Sequence, residues 1–197
     1  MTSLAPYQDA RAQFFRDWFE RGASYESYLA TGTPEQLARW RAYEAQLTPD
    51  TEQLERLRGF RRQMNVLVLS GIWCGDCMRQ GPMLRLIEQT APAFTVRWLD
   101  NKANPELQNE LRINGAEKVP VVVTLSEDFF ELSRFGDRHL SVYRRKAATE
   151  FGTACDPGIV GPSAEELRQE LEEWIAHFER PQLMLRLAPL LRKRYAD

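Results

Sequence analysis

The run Asn65-Val-Leu-Val-Leu69 is apolar at every position after the first. A strand with one wet face alternates apolar and polar residues, whereas one without alternation is buried on both faces and needs cover on each. The flanking sequence offers that cover. Residues 83–87 suit an amphipathic helix, 94–99 read as a strand, 105–113 as a short helix and 119–125 as a further strand. Residues 129–135 supply another strand, ending at Gly136. Ser163-Ala-Glu-Glu166 has the form of a capping box and opens a helix through about Phe178. Strands alternating with helices in this way predict an α/β fold, a mixed central sheet flanked by helices.

Upstream of this unit, residues 1–63 read as helix. Phe14, Phe15, Trp18 and Phe19 fall on one helical face. In Thr33-Pro34-Glu35-Gln36, Thr33 is a helix N-cap, Pro34 occupies the first turn and Gln36 reaches back. Leu37, Trp40, Tyr43, Glu44 and Leu47 follow at helical spacing, and Thr48-Pro49 opens a further helix whose Leu54, Leu57 and Phe60 share a face. The expected organisation is an N-terminal helical extension over 1–62 packed on the domain, an α/β domain over 63–180 and a helical tail over 181–197. The N-terminal aromatic stripe reads as core over one sheet face or as a homodimer contact. Residues 183–191 with Arg192-Lys193-Arg194 read as a helix packed on the domain, the alternative being a basic amphipathic helix at a membrane surface.

Cys74 and Cys77 stand just after the apolar run, in the stretch SGIWCGDCMRQGP. A pair with this spacing is a redox dithiol, half of a metal site or two inert thiols. Zinc would need further ligands, and only Cys155, His139 and His177 remain, none at the usual spacing, so no metal is expected. Three cysteines are too few for a disulfide scaffold in a chain of 197 residues. A thiol–disulfide exchanger needs one exposed thiolate and a second thiol held behind it. A helix N-terminus meets both needs: its unpaired N–H groups favour the anion of the first sulfur, and the second lies one turn further in, able to attack a mixed disulfide. Here the strand ends near Ser70 and the helix begins near Cys74.

With a net charge of −2 the chain carries no basic footprint for nucleic acid. Its first thirty residues include Asp9, Arg11, Arg16, Asp17, Glu20 and Arg21 and lack the apolar core of a signal peptide. The apolar runs are too short to cross a bilayer. The expectation is a soluble cytoplasmic protein with neither nucleic acid nor membrane as partner. Cys155, in a loop rich in Gly and Pro, reads as a bystander, and Arg144-Arg145-Lys146 as a solvated patch.

Residues 65 to about 136, with the helix near 163–178, resemble thioredoxin. Trp73-Cys74-Gly75-Asp76-Cys77 resembles the family's W-C-G-x-C, and Pro82 stands where the family has a kinking proline in the same helix. Trp98-Leu99-Asp100, leading to Asn104-Pro105, resembles its central strand and following turn. Val119-Pro120, entering a Val-rich strand, resembles its cis-proline. The resemblance implies a thioredoxin-like fold and a thiol–disulfide oxidoreductase. Cys74 would attack and Cys77 resolve, while Val119 and Pro120 present backbone to the substrate with Trp73 at the rim. The implied partners are a protein or small-molecule disulfide and an upstream reductant. No metal or organic cofactor is implied, because the dithiol carries the electrons. Two positions depart from the family. Asp76 stands where Pro is common, and it should raise the Cys74 pKa, with its carboxylate free to turn toward water. Val68 stands where the family buries an acid that assists proton transfer to the second cysteine. The Val68 departure and the N-terminal helical extension favour the alternative, a thioredoxin-fold binding or adaptor protein with weak or vestigial redox activity.

Overall fold

The structure, a computed structural model, describes residues 10–151 and 162–196. Cys155 and its loop lie outside them. The elements in chain order are α1 (Ala10–Arg21), α2 (Tyr25–Leu29), α3 (Pro34–Gln46), α4 (Thr51–Arg58), β1 (Met64–Ser70), α5 (Gly75–Thr90), β2 (Phe94–Asp100), α6 (Pro105–Glu110), β3 (Val121–Leu125), β4 (Glu131–Gly136), α7 (Leu140–Phe151), α8 (Ala164–Leu187) and α9 (Pro189–Tyr195).

The strands form a four-stranded sheet in the order β2-β1-β3-β4. β1 is parallel to β2, with Val68 opposite Trp98, and antiparallel to β3, with Leu69 opposite Val121. β4 closes the other side antiparallel to β3, so the sheet is mixed. Every residue of β1 is buried, as its lack of alternation requires. The outer edge of β2 is covered by the N-terminal region: Ala23 and Trp98 exchange both backbone hydrogen bonds at 2.9 Å. An unpaired edge invites pairing with another chain, and this bridge blunts it.

Phe15, Trp18 and Phe19 of α1 and Trp40 of α3 belong to the same buried apolar cluster as Val66–Leu69 of β1 and Trp174 and Phe178 of α8. The aromatic stripe therefore faces the interior. Trp40 seats on α5 at Gly81, where a Cβ would come within 1.9 Å of the indole, so only glycine leaves room for the ring. The capping boxes expected at Thr33 and Ser163 are both present.

Several boundaries differ from the sequence expectation, each for a local reason. α4 opens at Asp50 rather than at Thr48-Pro49, because Asp50 accepts the Gln53 N–H at 2.9 Å and Gln53 reaches back to the Asp50 N–H. β3 begins after Pro120, which has no N–H to give the ladder. α6 stops at Glu110, and Ile113 instead bridges to Ala116 around a turn with Asn114 and Gly115 at positive φ. β4 starts at Glu131 because Phe129, at φ 66°, closes a turn onto the Ser126 carbonyl. α8 continues past Phe178 through Pro181 to Leu187, across residue 180 where the sequence suggests a tail. Gln182 holds that stretch to the chain before β1, donating to the Arg62 carbonyl at 2.6 Å and accepting from the Arg62 N–H at 3.0 Å. α7 has no counterpart in the sequence expectation. It carries a weak apolar stripe and is held by polar contacts with α8, among them Arg145 to Glu170 at 2.7 Å. Arg145 is therefore paired rather than part of a solvated patch.

Candidate functional site

β1 ends at Ser70, and Gly71, Ile72 and Trp73 carry the chain to Cys74, the N-cap of α5. This short link is held from both sides. The Cys74 N–H donates to the Gly71 carbonyl at 2.9 Å, and the Trp40 indole N–H donates to the Ile72 carbonyl at 3.1 Å. Trp73 folds back over Gly71, where a Cβ would stand 3.0 Å from the indole, and stays half-exposed with the Lys102 ammonium 4.9 Å from its ring. Cys77 lies one turn into α5 and is 1% exposed, whereas Cys74 is only partly buried.

Both sulfurs have defined partners. The Gly71 N–H donates to Cys77 Sγ at 3.4 Å, and the Cys74 thiol reaches the Val119 carbonyl at 3.7 Å. Val119-Pro120 is a cis peptide, and the contact of Cys74 with the Val119 carbonyl brings together the three segments singled out in the sequence: Trp73, the cysteines and Val119-Pro120. His139 and His177, the histidines weighed as zinc ligands, pack instead around Trp174 and Phe135. Burial lowers the pKa of each, to about 3 and about 4. Among the described residues no group of three His, Cys, Asp or Glu side chains could hold a metal ion.

The two thiols are driven apart in acidity. Cys74 is lowered from 9.0 to about 7, chiefly by the hydrogen bond from the Cys77 thiol, with help from the Cys77 and Asp76 backbone N–H groups of the first helical turn. Burial and the Asp76 carboxylate oppose this and lose. Cys77 is pushed up, first by its own burial and then by the Cys74 sulfur beside it. Asp76 acts in the direction its charge dictates, but it does not turn toward water. Its carboxylate is held by Arg79 at 2.9 Å and Arg138 at 2.6 Å, so two cations damp its effect on the sulfur. Arg79 continues the network to fully buried Glu170, which also pairs with Arg145 of α7.

Alkylation of the reduced protein should accordingly give a half-maximal rate near pH 7 at Cys74. Asp76→Asn should move that midpoint down, since it removes the opposing charge and leaves Arg79 and Arg138 with less counter-charge. The pH–rate profile of iodoacetamide labelling, read by peptide mass, checks both. A wild-type midpoint near the ordinary 9.0 would contradict the geometry.

Arg79, Arg138 and Glu170 around Asp76, and Ser70 and Tyr28 behind Cys77, are absent from the sequence reading. Ser70 and Arg79 lie in the cysteine stretch itself, Arg79 three residues after Asp76 on α5. Tyr28, Arg138 and Glu170 arrive from distant elements and carry no local signal.

A thioredoxin family model matches residues 22–146, well over half of the chain. No curated protein matches it. Among solved structures, a protein of unknown function from Pseudomonas aeruginosa is 19% identical with a TM-score of 0.68, over 84% of this chain and 96% of its own. An HIV epitope-scaffold is 20% identical with a TM-score of 0.66, over 84% of this chain and 97% of its own. At such identities the likeness concerns the fold alone. With the strand–cysteine–helix geometry and the span of the family match, the chain belongs to the thioredoxin family.

Proposed function

We propose that the protein is a thiol–disulfide oxidoreductase working through the Cys74–Cys77 couple on a protein or small-molecule disulfide. The observation that carries this reading is the division of labour between the sulfurs. Cys74 is accessible and acidic, with a pKa of about 7, while buried Cys77 keeps its proton one turn behind it. The Cys74 thiolate attacks one sulfur of the substrate disulfide, forming a mixed disulfide and releasing the first substrate thiolate. Cys77 gives its proton to that thiolate and attacks Cys74, closing the protein disulfide and releasing the second. Two electrons pass from the dithiol to the substrate, and an upstream reductant restores the dithiol. Val119 and Pro120 present backbone to the incoming chain, and the exposed face of Trp73 borders the approach.

The test is turnover of a model protein disulfide with dithiothreitol as reductant, joined to a redox titration of the Cys74–Cys77 couple. The protein should accelerate the reduction. A potential near about −270 mV makes it a reductant and one near about −120 mV an oxidant. No acceleration in either direction would leave a binding protein with a silent dithiol.

A further inference from the structure

Cys77 must become an anion to resolve a mixed disulfide, and its surroundings oppose that. The sulfur is 1% exposed, and its fixed donor is the Gly71 N–H at 3.4 Å. The next group at it is the hydroxyl of Ser70, the last residue of β1, which is fully buried. Behind Ser70 stands the hydroxyl of Tyr28, brought by α2 of the N-terminal region and 2% exposed. Tyr28 is held there by a stack on Trp98, ring centroids 5.6 Å apart at 21°, and by an edge contact with Trp40. Ser70 lies within reach of both Tyr28 and Cys77, yet neither Ser70 Oγ nor Tyr28 Oη attains full hydrogen-bond geometry with a protein atom, although both are buried. Orphaned buried hydroxyls are uncommon, and two of them side by side against a thiol call for a reason. A thiol is a poor acceptor, whereas a thiolate is a strong one. The titratable groups facing this cluster are Cys74 from the start of α5 and Asp100 from the end of β2.

We propose that Tyr28 and Ser70 form a hydrogen-bond chain that stabilises the Cys77 thiolate in the resolving step, with Tyr28 Oη–H donating to Ser70 Oγ and Ser70 Oγ–H donating to Cys77 Sγ. The chain donates without transferring a proton: the Cys77 proton leaves with the first substrate thiolate. Beginning from the Cys74 thiolate, the Cys77 thiol and one substrate disulfide, the products are the protein disulfide, one substrate thiol and one substrate thiolate. The chain tightens as charge develops on sulfur, and its hydroxyls are only loosely engaged while Cys77 is a thiol. This gives the N-terminal helical region a part in the chemistry, through Tyr28. The inference rests on the oxidoreductase reading.

The test uses the full chain and an aromatic disulfide whose thiolate absorbs light. With this disulfide the first leaving thiolate is too weak a base to keep the Cys77 proton, which passes on to the buffer, so both equivalents absorb: Cys74 releases the first and Cys77 the second, and the two phases are timed separately. Tyr28→Phe and Ser70→Ala should each slow the second phase about tenfold and leave the first unchanged. Raising the pH by about one unit should restore the wild-type rate, because one unit of thiol pKa is a tenfold change in thiolate. A packing defect alone would not be rescued by pH. Tyr28→Phe keeps the ring on Trp98, so it remains informative if Ser70→Ala folds poorly. A second phase as fast as wild type in both variants, or slowed without pH rescue, overturns the chain and leaves the oxidoreductase reading intact. A wild-type protein with no second phase overturns both.

Discussion

Trp40→Ala should lower the stability of the protein by about 3–5 kcal/mol, the range for emptying a fully buried large aromatic site. For a chain of this size that corresponds to a fall in Tm of roughly 6–20 °C. Trp40 is fully buried, meets Tyr25, Tyr28 and Trp98 ring to ring, and occupies the notch at Gly81. Alanine leaves a cavity among three aromatic rings that helices tied at both ends cannot fill. It also releases the Ile72 carbonyl and so loosens the link into Cys74. Gly81→Ala attacks the same contact from the other side. Its Cβ would stand 1.9 Å from the Trp40 ring, and overpacking of about 1–3 kcal/mol or more outweighs the ~1 kcal/mol that alanine gains over glycine in a helix. Thermal melts of both variants check the account. An unchanged Tm in either would mean that α3 does not seat on α5 as described.

Cys74→Ser should reduce disulfide turnover to the rate of the reagents alone, because a serine hydroxyl does not attack a disulfide at neutral pH. The size of the wild-type advantage can be bounded. At pH 7 about half of Cys74 is thiolate, against about 1% for a thiol at its ordinary 9.0. The more acidic thiolate is also a weaker nucleophile, by about six- to tenfold over that shift. Acidity alone therefore supplies a net gain of only about five- to eightfold in the attack step, and under the proposed function a larger acceleration of a protein substrate is expected from docking at Val119-Pro120 and Trp73. Comparing turnover of a protein disulfide with that of a small symmetric one separates the two contributions.

What the sequence made legible follows local rules. The unbroken apolar run predicts β1 because burial on both faces shows in the residues themselves. The caps at Thr33 and Ser163 are visible because their partners lie three residues away. The cysteine pair is legible because its environment, a helix N-terminus after a strand, is set by adjacent chain. What stayed hidden depends on contacts between distant residues. Asp76 reads as a charge free to face water, and only the fold brings Arg138 to within 2.6 Å of it. α7 lacks a strong apolar period and is held by ion pairs with α8, the next helix, beyond the reach of a local pattern. Tyr28 carries no signal of its own in the sequence, and only the fold places it behind Ser70.

The central claim is that Cys74 is the attacking sulfur of a redox couple, and trapping tests it most directly. A Cys77→Ser protein, mixed with a disulfide-bonded protein substrate and quenched, should hold the substrate through a mixed disulfide that peptide mass maps to Cys74, while Cys74→Ser holds none. Substrate captured at Cys77 of the Cys74→Ser protein, or linked at Cys155 instead of Cys74, would contradict the account.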